Sequence, residues 1–267
     1  GAIGVCAAKV SEAEVLADAG VKGILITGPV VTAQKIERLA AILKKDSTIM
    51  VVVDHPDNAR RLNDAMRDRH LSLDVLLDTD VGLARTGVLP ESALELRDHI
   101  THASSLRLKG VQAYAGFVQH IPSYPERKKA SLECMQRAAA LFRNLKEKER
   151  TCTIFSGAGT GTYDIDIHIS ELTELQVGSY AVMDAEYLNI GVKGDSARFV
   201  DFQPALTLLT TVVSANHSEF VTVDAGLKSL YQNGGIPFVI TPGFTELTYD
   251  WFGDEYGKLS RDGGGKL

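Results

Sequence analysis

Strand-like and helix-like stretches alternate from residue 3 to residue 177, and no other feature narrows the fold so far. Apolar runs at residues 3–7, 23–26, 49–54, 72–80, 108–114, 152–155 and 172–177 read as strands. Amphipathic patterns at 11–20, 32–45, 56–69, 90–102 and 124–148 read as helices. Ser11-Glu12-Ala13-Glu14 opens the first helix with a capping-box pattern, and Gly20 closes it. Pro90 suits the first turn of the fourth. Strands separated by whole helices run parallel, through right-handed crossovers. The count is seven strands, whereas a closed barrel of this type takes eight. The expected eighth unit would precede Gly1.

The grammar changes near Arg198. Residues 205–214, 219–224 and 238–241 are rich in Val, Thr, Phe and Leu, with turn residues Asn216-His217 and Gly234-Gly235 between them. That pattern reads as antiparallel β structure, ending in a flexible stretch at 261–267. The expected fold is therefore α/β: a (β/α)8-type barrel lacking its first strand over residues 1–197, followed by a partial antiparallel β domain over 198–267. A chain of 267 residues accommodates such a pair.

Composition excludes several function classes. The net charge of −6 argues against a nucleic-acid or anionic-membrane surface. No apolar run approaches the roughly 20 residues that span a bilayer, and no signal peptide is recognisable. Cys6, Cys134 and Cys152 are too few and too widely spaced for a disulfide framework. The expected location is the cytoplasm.

Two small-residue turns carry the functional signal. Ser156-Gly157-Ala158-Gly159-Thr160-Gly161-Thr162 follows the sixth strand, and Gly178-Ser179-Tyr180 follows the seventh. Glycines let a backbone approach an anion, and hydroxyls add donors. Turns after the last two strands of a β/α barrel are a usual phosphate site. The ordinary alternative is a flexible connecting loop.

Asp78, Asp80 and Arg85 lie at and just past the end of the fourth strand, and alternation places Leu76, Asp78 and Asp80 on one face. They read either as a polar site at the barrel mouth or as a surface ion pair. Gln112 and Tyr114 alternate on the fifth strand, followed by Gly116, Gln119 and His120. This set suits ligand binding or proton transfer; taken alone, His120 reads as a surface histidine. His55, His70, His99, His102, His168 and His217 carry no distinctive pattern. No metal ligands are assigned: Asp164-x-Asp166-x-His168 is the nearest approach to metal spacing.

In combination these segments resemble the pyridoxal-phosphate enzyme family that includes D-threonine aldolases and D-serine dehydratase-like proteins, relatives of alanine racemase. The matching stretches are Gly1-Ala2-Ile3-Gly4-Val5-Cys6 with Lys9-Val10-Ser11-Glu12-Ala13-Glu14, and Asp80-Val81-Gly82 with Arg85-Thr86-Gly87-Val88. They continue in Gln112-Ala113-Tyr114-x-Gly116-x-x-Gln119-His120, Ser156-Gly157-x-Gly159-Thr160-Gly161-Thr162, Gln176-Val177-Gly178-Ser179-Tyr180-x-x-Met183-Asp184 and Asp224-Ala225-Gly226-Leu227-Lys228.

The resemblance implies that Gly159, Thr160, Gly161, Thr162, Gly178, Ser179 and Tyr180 hold the cofactor phosphate. It implies that Arg85 faces the phenolic oxygen, and that Tyr114 lies beside the ring and the bound amino acid. Arg85, Tyr114 and His120 are the implied catalytic set. The family's Schiff-base lysine lies in a His-x-Lys-Thr-like segment that would precede Gly1, and Lys9 does not replace it. The family's metal pair, expected to hold manganese or zinc, would follow Leu267. The chain thus reads as the core of a longer catalyst.

The implied activity is a lyase reaction on D-3-hydroxy amino acids. Aldol cleavage to glycine and an aldehyde is favoured, with dehydration of D-serine or D-3-hydroxyaspartate close behind and racemisation further off. A non-catalytic pyridoxal-phosphate carrier and a phosphosugar-binding barrel are the rivals from other classes. The expected partner is a small D-amino acid, with a homodimer left open.

Overall fold

In the computed structural model, residues 1–194, 198–232, 234–244 and 246–265 are described. The expected domain boundary at 197 and the end of the expected flexible tail lie outside them. The chain divides into two compact units. One comprises Gly1–Ile121 with Pro125–Gly178, and the other Pro122–Tyr124 with Ser179–Leu267. Residues 179–194, assigned from sequence to the barrel segment, group with the second unit.

The first unit is a curled parallel sheet of seven strands whose spatial order is the sequence order. They are β1 (Val5–Ala7), β2 (Ile24–Ile26), β3 (Met50–Val53), β4 (Leu73–Asp78), β5 (Leu106–Ala113), β6 (Ile154–Gly157) and β7 (Glu174–Leu175). The expected strand count and direction hold. Helices α1 (Val10–Asp18), α2 (Ala33–Lys45), α3 (Pro56–Arg67), α4 (Ala93–Thr101) and α5 (Tyr124–Lys148) intervene.

Period-two alternation sorts each strand between two cores. Ile24, Ile26, Val51, Val53, Val75, Leu77, Val111 and Phe155 face outward into the helix-covered core, with Leu39, Leu62 and Phe142 among their neighbours. Leu25, Val52 and Leu76 form a separate inner cluster, joined by Met50 and Ile154. Strands apolar on both faces are what helix-flanked parallel sheets require.

One irregularity sets the register of the mouth. Between Val75 and Leu76 the β4–β5 pairing slips by one residue, so that Leu76 faces Gly110 and Asp78 faces Gln112. Gly110 has φ +149. A Cβ there would fall 1.7 Å from the Ile154 carbonyl oxygen, so only glycine fits this bulge.

The first helix starts earlier than expected. Lys9 is its N-cap, and Glu12, rather than Glu14, turns back to accept from the amides of Ala8 (2.7 Å) and Lys9 (3.2 Å). Glu14 instead accepts from Arg38 Nε of α2 at 2.7 Å. All three cysteines are free. Among the described residues, no helix is long and apolar enough to cross a membrane.

The second unit carries the short helix α7 (Ala185–Leu188) and an antiparallel sheet in the order β10-β11-β9-β8. The strands are β8 (Val212–Ser214), β9 (Phe220–Val223), β10 (Leu247–Trp251) and β11 (Gly257–Arg261). The antiparallel class is as expected, but its membership differs. Residues 205–211 and 238–240 are not strands, while 247–251 and 257–261 are. Val223, Tyr249 and Leu259 form the core. Tyr249 donates to the Ala225 carbonyl (2.7 Å) and Trp251 to that of Leu230 (2.9 Å).

Candidate active site at the barrel mouth

Above the inner apolar cluster, the same inward positions turn polar. Asp78, two residues past Leu76, is 4% exposed. Gln112, brought opposite by the bulge, donates through Nε2 to Asp78 Oδ1 (3.0 Å) and to the Thr27 carbonyl (3.1 Å). Gln112 Oε1 accepts from Gln176 Nε2 (3.0 Å), which also donates to Ser156 Oγ (2.8 Å). A chain of side chains therefore crosses from β4 to the end of β7. Asp78 Oδ2 is buried without a hydrogen-bond partner. Burial pushes the Asp78 carboxyl up to about 6, against hydrogen bonds from Gln112 and Thr86, with Asp54 adding to the rise.

Asp80 does different work. Its carboxylate accepts from the amides of Gly82 (2.9 Å) and Ala84 (3.1 Å) and so shapes the following loop. Burial opposes its ionisation, but the amides of Gly82, Ala84 and Leu83 outweigh burial and hold the carboxyl below its usual range. The two aspartates thus do not form one paired site. That loop presents Arg85, whose guanidinium carbon stands 5.7 Å from the Tyr114 ring centroid, a cation–π distance. No ion pair joins Arg85 to Asp78 or Asp80 among the described residues, which removes the surface ion-pair reading. Tyr114 is half-buried, and burial raises its pKa despite the opposing charge of Arg85.

His120 is half-buried just past the single-turn helix Gly116–Val118. Its neighbour Gln119 is fully buried and turns into the glycine turn. Gln119 Oε1 accepts from the Gly161 amide (3.0 Å), while Nε2 donates to Thr162 Oγ1 (3.1 Å) and the Ala115 carbonyl (3.3 Å). Gly159 and Gly161 make room for this residue. A Cβ on Gly159 would lie 2.5 Å from Gln119 Oε1, and one on Gly161 would lie 2.1 Å from the Gln119 carbonyl oxygen.

Thr162 Oγ1 donates to Asp166 Oδ2 (2.6 Å) in α6 (Tyr163–Asp166). Asp166 also accepts from Ser131 Oγ (2.7 Å). Burial raises the Asp166 pKa, against the hydrogen bonds from Ser131 and Thr162. The spacing 164-x-166-x-168 is therefore structural: Asp166 is committed inward and His168 is exposed. Thr160 is buried at 2% exposure.

Gly178 is exposed at the end of the first unit. Ser179 and Tyr180 open a single-turn helix (Ser179–Ala181) in the second unit, where the Tyr180 ring lies 5.5 Å from that of Phe202. Arg127 is the residue that sequence reading missed. It is 1% exposed and donates to the Gly161 and Ile121 carbonyls at 2.8 and 2.6 Å. Its position in a long amphipathic helix gave no signal of burial.

Comparison with known proteins gives the fold its relatives. The family described as alanine racemase, N-terminal domain, matches residues 1–186. A 3-hydroxy-D-aspartate aldolase of Paracoccus denitrificans (strain Pd 1222) is 35% identical over 266 residues, covering 98% of this chain and 68% of that protein. A D-threonine aldolase of Arthrobacter sp is 35% identical over 258 residues, covering 96% and 66%. The crystal structure of D-threonine aldolase from Filomicrobium marinum superposes with a TM-score of 0.89 at 34% identity, covering 98% of this chain and 69% of that one. A D-threo-3-hydroxyaspartate dehydratase from Delftia sp. HT23 shares the fold, with a TM-score of 0.80 at 23% identity, covering 100% and 73%. The chain spans about two thirds of the length of these relatives.

Proposed function

Because the chain belongs to the alanine racemase N-terminal domain family, we propose that it is the cofactor-holding core of a pyridoxal-phosphate-dependent lyase acting on D-3-hydroxy amino acids. The observation that carries this reading is the aldolase identity of 35% over nearly the whole chain. The side chains of the mouth fit the ring and phosphate of the cofactor. Arg85 is a guanidinium without a carboxylate partner among the described residues, set over an aromatic ring. The 158–162 turn is packed against Gln119, and an added Cβ at residue 159 or 161 would collide with that residue and displace the turn.

When bound, pyridoxal phosphate supplies a carbonyl that captures the substrate amine and a ring that accepts electrons from a breaking bond. Arg85 brings a fixed positive charge to the phenolic side of the ring. Tyr114 stays protonated at neutral pH, because burial raises its pKa, and so acts as a hydrogen-bond donor rather than as a phenolate. His120 completes the proposed catalytic set as a proton carrier. Gly159, Thr160, Gly161 and Thr162, with Gly178, Ser179 and Tyr180, are the proposed phosphate residues. Among the described residues no cluster of three His, Cys, Asp or Glu side chains could hold a metal, so no step is assigned to manganese or zinc.

Aldol cleavage and dehydration leave different products. In a chain that also carries the family's Schiff-base lysine and metal pair, incubation with pyridoxal phosphate and D-threonine should yield glycine and acetaldehyde without ammonia, and L-threonine should yield neither. Ammonia with a 2-oxo acid from D-serine or D-3-hydroxyaspartate would replace aldol cleavage with dehydration. A second reading is a module that holds the cofactor without turnover; both readings call for a Schiff-base lysine, and Lys9, an exposed helix cap, is not a substitute for it. Cofactor binding with no product from any of these substrates would select that reading.

A further inference from the structure

The 158–162 turn is held more firmly than a connecting loop needs to be. Ala158 adopts φ +64, a conformation that residues with a Cβ rarely occupy. Such strain persists only where the surroundings over-determine the backbone. Here they do. The Gly161 amide hydrogen is taken by Gln119 Oε1 at 3.0 Å, and the Gly161 carbonyl by Arg127 Nε at 2.8 Å. Gln119 comes from the β5–α5 connection and Arg127 from α5, so the two peptide units that flank the Gly161 Cα are gripped by two segments. Both clamps are buried, at 0% and 1% exposure.

We propose that Gln119 and Arg127 are positioning residues that grip Gly161 at its amide and at its carbonyl, and so preset the 158–162 turn for the phosphate of pyridoxal phosphate. The inference rests on the phosphate reading of that turn and adds the residues that make the turn competent. A peptide cradle that must order itself around an anion loses affinity to the lost freedom. A cradle already ordered does not. Arg127 fixes the Gly161 carbonyl through a charge-assisted hydrogen bond.

The test compares pyridoxal phosphate with pyridoxal, which lacks the phosphate, by equilibrium dialysis. The parent chain should favour pyridoxal phosphate by about a hundredfold, the scale of a few charge-assisted hydrogen bonds. Arg127→Met and Gln119→Glu should each cut that preference about tenfold while leaving pyridoxal affinity unchanged. Arg127→Lys should recover part of it. Leu62→Ala, remote in α3 and matched for lost Tm, should keep the parental preference; a drop there would reduce the effect to general destabilisation and overturn the inference. If Arg127→Met does not fold, Gln119→Glu and Arg127→Lys carry the decision. An undiminished preference in the clamp variants would refute the positioning role. A parent that binds the two compounds equally would instead remove the phosphate reading itself.

Discussion

In the barrel unit, the middle strands β2 to β6 bury side chains both under a shell of helices and in an inner cluster; in the antiparallel unit, the four-stranded sheet gathers Val223, Tyr249 and Leu259 at its core among the described residues. Leu62, Leu77 and Phe155 of the first are fully buried. Leu206, Leu209, Tyr231 and Ile240 of the second are 73%, 96%, 88% and 75% exposed. The same apolar residue types therefore carry different information in the two regions. Where both strand faces are covered, a run of Val, Ile and Leu is dictated by burial. Where little is covered, apolar content no longer marks a strand.

The comparison can be broken first at Gly110. Gly110→Val drives a branched side chain into the Ile154 carbonyl and should cost more than about 4 kcal/mol, enough to prevent stable folding of the barrel. Urea unfolding followed by circular dichroism would show it; a midpoint near the parent's would mean that the bulge is dispensable. Next, Leu62→Ala should cost about 3 kcal/mol through the cavity it leaves, whereas Leu209→Ala should stay within about 0.5 kcal/mol. Equal losses at the two sites would erase the contrast between the units.

Asp78 sharpens the contrast through pH. Its folded pKa of about 6 lies above the ordinary 3.8, so the folded chain holds the proton more tightly. Stability from this group is greatest below about pH 4, falls as pH rises towards 6, and is flat above. The shift corresponds to at most about 3 kcal/mol. Asp78→Asn should flatten that segment of the stability profile and raise the urea midpoint at pH 7.5 relative to pH 4. A parental slope in the variant would place the titrating group elsewhere.

These differences also explain what was legible in the sequence. The seven parallel strands were readable because each is an apolar run between amphipathic helices, and α5 was readable to its ends. In the second unit, residues 238–241 are as apolar as a strand yet form only a bridge at Thr241. β10 and β11 alternate Tyr, Trp and Leu with charged and polar residues, a half-buried strand pattern that was not picked out beside the more apolar runs. At the mouth, alternation put Asp78 on the face of Leu76 and Gln112 on that of Tyr114 but could not show the bulge that sets Asp78 and Gln112 opposite one another. The glycines at 159 and 161 pointed to a close approach. Their nearest neighbour in the structure is Gln119, a contact between segments more than thirty residues apart that no local pattern encodes. Arg127 was hidden for the same reason, since helical period says which face a residue occupies and not what lies opposite.

The central claim is that Arg85 and Tyr114 face the reacting end of a bound cofactor. Pyridoxal phosphate titrated into the parent, Arg85→Ala and Tyr114→Phe proteins, each completed with the family's Schiff-base lysine, and followed by its absorption across pH, tests that claim directly. The account predicts a bound-cofactor band in the parent whose position and titration move when Arg85 is removed. With Tyr114→Phe, the cofactor should stay bound while any turnover falls about 100-fold, the scale of a lost proton-transfer or hydrogen-bond contact. An absorption spectrum indifferent to Arg85→Ala, together with unimpaired turnover in Tyr114→Phe, would contradict the assignment of this mouth as the active site.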